Sequence, residues 1–179
     1  MTTPFSLLEG NFYIDERAAA KYASQAGDEI VMRQVVNLPT GDALDAWIKQ
    51  IWLAGSGREV TPGEGRGYVN HTRHVARLGI DEQIISAGLP SESDKAGAVP
   101  SIQYKMTTFG ATPVDDHMGL VAFVPQESAS QTEIVWLIKL KLKAEGNPPF
   151  ADPKTLPPFL HGAVSGMLAA FATAVDAEK

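Results

Sequence analysis

The last third of the chain constrains the fold most. Ile134, Trp136, Ile138, Leu140 and Leu142 alternate with Lys139, Lys141 and Lys143, and a period of two puts the apolar set on one face of a strand and the lysines on the other. The run that follows, Leu156 to Val175, contains no Asp, Glu, Lys or Arg, which predicts a long helix that is apolar over most of its surface. A strand that buries one face beside such a helix predicts a sheet curled around a terminal helix, with a pocket between them. Val135 and Leu137 fall on the lysine face. They need a cover of their own, and Phe5, Leu7, Leu8 and Phe12 or a second subunit in a homodimer are the candidates.

Composition narrows the function classes. A chain of 179 residues suits one domain with a single core. The lack of cysteine removes disulfides, thiolate metal ligands and a Cys nucleophile, and agrees with a reducing cytoplasm. A formal charge of -6 and a pI near 5.2 give no basic footprint for nucleic acid or an anionic membrane. Met1 to Glu9 lacks the basic leader and apolar run of a secretory signal, so a cytoplasmic location is expected. The uncharged run Phe159 to Val175, with Gly162 and Gly166 inside it, is shorter than the roughly 18 to 20 residues that span a bilayer. A buried core helix, not membrane insertion, is the expectation.

Along the chain, Asp15 to Gln25 is rich in helix formers and stops at Gly27, so residues 1–27 read as an extension with a capping helix. Glu29 to Leu38 carries Ile30, Val31, Val35 and Val36 and ends at Pro39, the pattern of a strand. Leu44, Trp47, Ile48, Ile51 and Trp52 then recur at helical spacing up to Gly55. From Arg58 the texture is that of an antiparallel meander. Tyr68 to Leu78, Asp81 to Ala87, Ile102 to Phe109, Met118 to Pro125 and Thr132 to Lys143 are the strand candidates. Pro90 to Pro100 reads as the longest hairpin loop, and Pro148, Pro149, Pro153, Pro157 and Pro158 mark the approach to the last helix. Gly162 and Gly166 are expected to let that helix approach the sheet or leave space for a ligand.

Alternation sorts the strand residues by face. Ile80, Glu82 and Ile84 share one, as do Ile102, Tyr104 and Met106, and as do Val69, His71, Arg73 and Val75. A face that mixes His71, Arg73, Glu82 and Tyr104 with aliphatic groups is unlike a dry core, because buried charge is costly unless paired or hydrated. Arg73 with Glu82 reads either as a structural ion pair across adjacent strands or as a ligand contact.

The order of elements resembles the START-related, pollen-allergen-like helix-grip superfamily, also described as polyketide cyclase/dehydrase and lipid transport proteins. The resemblance rests on Val35 to Trp47, the turn Gly63-Glu64-Gly65-Arg66-Gly67, Asp81-Glu82-Gln83-Ile84, Thr132-Glu133-Ile134-Val135-Trp136 and the final helix. It covers the chain from about Asp28 onward, so 28–179 would be a single ligand-binding domain. What the resemblance implies is an α+β fold. A seven-stranded antiparallel sheet grips the C-terminal helix, two short helices follow the first strand, and a cavity holds hydrophobic or amphipathic small molecules. Relatives include cyclases and aromatases, lipid and hormone carriers, and proteins without known chemistry, and no catalytic motif is shared by all. The implied pocket positions are His71, Arg73, Glu82 and Tyr104 at a polar end, with Met106, Trp136 and Ile138 on the sheet. Val164, Met167 and Phe171 face them from the helix.

Other chemistries are disfavoured by geometry. His71 and His74 lie on opposite strand faces and cannot share a metal. Asp115, Asp116 and His117 read as a solvated turn, so no metal or other cofactor is expected. The Gly63, Gly65 and Gly67 turn opens no helix and carries no Gly-Lys-Ser/Thr, which excludes a P-loop. Ser56 and Ser165 lack the glycines of a nucleophile elbow. Three functions remain open: a carrier or sensor of a small hydrophobic molecule, a cyclase-like enzyme, and an interaction protein whose core is closed by Trp47, Trp136 and Met167. The enzyme would use His71 as proton exchanger, Arg73 on an enolate oxygen, and Tyr104 or Glu82 as donor.

Overall fold

A helix, a long strand, a second helix, a run of strands and a terminal helix follow in the order the pattern predicts, in a computed structural model that describes residues 13–14, 16–55, 58–89 and 98–178. Strand β1 is Tyr13–Ile14, helix α1 is Glu16–Ser24 and strand β2 is Asp28–Val36. Helix α2, Thr40–Trp47, starts after Pro39 with Asp42 in its first turn, where a carboxylate suits the helix dipole. It runs without a break into a π-helical turn, Ile48–Leu53, so the two short helices are contiguous. Strands β3 (Arg58–Thr61), β4 (Thr72–Val75), β5 (Ile80–Gly88), β6 (Ala98–Val99), β7 (Ser101–Thr108), β8 (Val114–Pro125) and β9 (Thr132–Leu142) follow. Helix α3, Leu156–Ala177, comes last, after a 3-10 turn at Pro153–Thr155.

Among the described residues the main sheet has seven antiparallel strands in the order β2-β9-β8-β7-β5-β4-β3. Strand β4 is shorter than the Tyr68 to Leu78 segment expected. Tyr68 and Asn70 have left-handed φ values of 51° and 72°, and Gly79 has 65°, so the chain turns at both ends of the pairing. Of the long loop, Ala98–Val99 pairs in parallel with Tyr13–Ile14, and residues 90–97 lie outside the described residues.

The two faces of the sheet bury separate cores. On the inner face Met32, Ile84, Ile102, Val121, Phe123, Ile134, Trp136 and Ile138 meet α2, the π-turn and α3. On the outer face Val135 and Leu137 pack with Met118, Leu120, Ala122 and Val124 under Tyr22 of α1 and Val99 of β6. Tyr22 and Val99 therefore cover the pair that alternation left unexplained. Phe5, Leu7, Leu8 and Phe12 lie outside the described residues. Lys139 adapts to this cover: its ammonium donates to the Tyr22 carbonyl at 3.1 Å and sits 4.6 Å from the Tyr22 ring centroid. Lys141 and Lys143 stay exposed.

Helix α3 departs from its expected role in two respects. It buries one face, through Leu156, Val164, Leu168, Phe171 and Val175, and presents Gly162, Ala163, Gly166, Ala169, Ala170 and Ala174 to solvent. Gly162 and Gly166 have nothing within 4 Å of where a Cβ would stand. They give the helix no closer approach to the sheet, because a 3.6-residue period sets them opposite Val164 and Leu168. The length argument also changes: Pro153–Ala177 is long and apolar enough to cross a membrane, with a mean hydropathy of 1.4. In this structure the helix packs one face against the sheet, and 22% of its most apolar stretch is buried.

Asp115, Asp116 and His117 belong to β8 and are not a turn. A bulge between Val114 and Asp116 leaves both aspartates exposed and turns His117 inward.

Candidate functional site

The inner face of the sheet carries the polar groups. Cross-strand register sets Arg73 of β4 opposite Glu82 of β5, and Glu82 opposite Met106 of β7. Arg73 donates from Nε at 2.9 Å and from Nη2 at 2.8 Å to the same oxygen, Oε2 of Glu82. Its Nη1 donates to the carbonyls of Ile51 at 3.1 Å and Trp52 at 2.8 Å, and the guanidinium lies 4.0 Å from the Trp52 ring centroid. Both side chains are 9% accessible. Every nitrogen of Arg73 thus has a protein acceptor, and the residue ties the π-turn to the sheet.

His71 is held as firmly. The indole Nε1 of Trp52 can only donate, so it fixes His71 Nδ1 as acceptor at 2.8 Å, and His71 Nε2 then carries the proton toward Glu59 Oε2 at 3.0 Å. The imidazole is 1% exposed while Glu59 is 58% exposed.

His117 is the inward polar group that the sequence reading missed. Its Nδ1 accepts the backbone N–H of Met106 at 3.1 Å, which leaves the proton of the neutral ring on Nε2. Burial pulls its pKa down to about 4, against the weaker upward pull of the Glu82 and Asp116 carboxylates. Stepping back along β8 by twos from Phe123 and Val121 reaches Gly119 and His117, and that phase was the available signal.

Tyr104 stands at the centre. Its hydroxyl accepts Trp136 Nε1 at 2.8 Å, and burial, with the Glu82 carboxylate adding to it, pushes the phenol above its ordinary range. Its ring is 5.4 Å from those of Trp52 and His117 and 6.2 Å from Trp136. Trp47 extends the cluster, 5.2 Å from Trp136 and 6.1 Å from Trp52. Gly119 faces Tyr104 in register, and a Cβ at 119 would overlap Cε1 and Cζ of that ring. Gly119→Ala is therefore expected to cost about 1 to 3 kcal/mol by overpacking, read as a lower urea midpoint at unchanged slope.

The residues expected to line a pocket lie in or beside the inner core. His71, Arg73, Glu82, Tyr104, Met106, Trp136, Ile138, Val164 and Phe171 are all buried, and Met167 is partly buried against the same core. Trp47 Nε1 and Ser101 Oγ are buried polar atoms without a hydrogen-bond partner among the described residues. No group of three or more His, Asp or Glu able to hold a metal occurs among the described residues. A separate open groove of about 500 Å³ lies outside the grip, between the π-turn and the glycine-rich turn at 63–67, and is lined in part by Ile48, Lys49 and Tyr68.

A seven-stranded antiparallel sheet wrapped on a C-terminal helix, with short helices after the first long strand, is the helix-grip fold. Solved structures share it. Ara h 8.0201 aligns with a TM-score of 0.58 at 9% identity, covering 84% of this chain and 98% of that one. A protein from Nitrosospira multiformis gives 0.57 at 14%, covering 85% and 100%. Norcoclaurine synthase from Thalictrum flavum, in complex with dopamine and hydroxybenzaldehyde, gives 0.55 at 17%, covering 88% and 91%. At these identities the likeness concerns the fold. No protein-family model and no curated protein matches the sequence.

Proposed function

We propose that the chain binds a small hydrophobic or amphipathic molecule between the inner face of the sheet and α3, as a carrier or sensor. The observation that carries this reading is Trp47 Nε1. An indole N–H buried without an acceptor costs roughly 1 to 3 kcal/mol, and this one lies in an aromatic cluster inside the grip. A ligand with an apolar body and one acceptor oxygen would satisfy it, in keeping with sites that join apolar walls to a few placed polar groups. The cyclase-like alternative has no comparable support. His71 and Arg73, its proposed proton exchanger and enolate partner, have their hydrogen-bonding nitrogens engaged by Trp52, Glu59, Glu82 and two carbonyls.

Prodan, a neutral naphthalene ketone, is a suitable probe. Saturable binding at one molecule per chain is expected, with a blue-shifted emission. Trp47→Phe keeps an aromatic ring and removes the donor, so it is expected to weaken binding about five-fold, with a loss of stability from the volume removed beside Trp52, Phe123 and Trp136. Absence of saturable binding, or equal affinity for Trp47→Phe and the parent, would overturn the proposal.

A further inference from the structure

A second site emerges from two backbone irregularities that flank one groove. The first is the π-turn. Ala54 N–H bonds to the Lys49 carbonyl, five residues back, at 3.2 Å, and this closure brings Leu53 round over Ile48. In an α-helix those two residues would stand about 140° apart around the axis. Here both line the groove, with Lys49 beside them. Arg73 accounts for the carbonyls at the end of the turn, but not for the side chains the turn presents outward.

The second irregularity is Tyr68, at φ 51°. The left-handed region disfavours a bulky aromatic, and a glycine or asparagine there would relieve the conformation. The Tyr68 ring is held edge-on to buried His71, with centroids 6.1 Å apart, and borders the groove. Strained residues and π-turns both concentrate where a fold binds something, and here they meet across the same concave surface.

Charge selects the ligand. Arg66 donates to both Asp45 oxygens, at 2.8 and 2.9 Å, and to the Gly41 carbonyl at 3.2 Å. That acid and base neutralise each other. Lys49 is exposed and has no ion pair with the described residues. The groove thus combines apolar lining from Ile48, Leu53 and Tyr68 with the Asp45–Arg66 pair and one further ammonium, Lys49, which has no ion pair with the described residues.

We propose that this groove binds a small planar aromatic carboxylate, with the ring system on Tyr68 and the carboxylate on Lys49. The site is independent of the grip interior.

The test uses 1-naphthoate with calorimetry and amide chemical shifts. Saturable binding is expected, with shifts at Ile48, Lys49, Leu53, Gly65 and Tyr68. Lys49→Met and Lys49→Gln should each weaken naphthoate about five-fold, with an unchanged melting temperature and no effect on neutral 1-naphthalenemethanol. No binding in the millimolar range, shifts confined to interior residues such as Trp136 and Val164, or unchanged affinity in both variants would overturn the proposal. Naphthoate binding should persist in Trp47→Phe and in the presence of prodan, which separates its failure from that of the interior site.

Discussion

Glu82→Ala is expected to destabilise the protein by about 3 to 5 kcal/mol, the usual consequence of removing one partner from a buried ion pair. Arg73 would keep the carbonyls of Ile51 and Trp52 and the Trp52 ring, but Nε and Nη2 would lose their acceptor in a site where both side chains are only 9% accessible. At roughly 2 to 4 °C per kcal/mol for a domain of this size, the melting temperature should fall by about 10 °C. Glu82→Gln keeps an acceptor and should cost less. Arg73→Met, Glu82→Leu together should recover only part of the loss, because Arg73 also ties down the π-turn. Urea unfolding checks all three. A loss below about 1 kcal/mol for Glu82→Ala would mean that the pair behaves as a solvated surface bridge.

Acid should unfold this protein in part through His117. Its folded pKa of about 4 lies below the 6.5 of the free group, so the unfolded chain takes up the proton first as pH falls. The neutral ring's contribution is complete above pH 6.5 and is lost progressively as pH drops through the interval down to the folded value. With a shift of this size the loss is roughly 3 kcal/mol between pH 7 and pH 4. His117→Asn cannot titrate there, and its stability should fall by correspondingly less over the same range. Equal slopes for parent and variant in urea titrations from pH 7 to 4 would show that His117 is hydrated in the fold. Asp81 contributes in the same direction at lower pH, since its hydrogen bond with His74 holds its carboxyl below the usual range.

Where alternation is unbroken, the sequence was easy to read. Ile134 to Leu142 has a phase that sets the inner face of β9, and its neighbours inherit it through register, so Arg73 opposite Glu82 and the inward Tyr104 followed. The bulge at Val114 to Asp116 inserts a residue and resets the phase, and two exposed aspartates then make the start of β8 look like a turn, which hid His117. The outer core was only half legible. Val135 and Leu137 demanded a cover, but Tyr22 gave no periodic signal that it was the residue that supplies it. A π-turn is invisible to a 3.6-residue period, so the groove beside Lys49 could not be anticipated. The orphan on Trp47 depends on where every neighbouring acceptor points, and spacing carries no such information.

The pairing of β2 with β9 has a consequence for how the chain reaches this state. Asp28 to Val36 finds its partner at Thr132 to Leu140, roughly a hundred residues later, and β2 is an edge strand with no other neighbour in the sheet. During synthesis β2 must wait for nearly all of the meander before it can pair, with Met32 and Val36 unburied meanwhile. The meander β4, β5, β7 and β8 can form from near neighbours, so closure of β2 onto β9, with α3 settling across them, is the high-entropy step that should limit the folding rate. A chain stalled before that closure would expose an unpaired β9 edge and part of the inner core at once, which makes the same long-range contact the point where folding and aggregation compete.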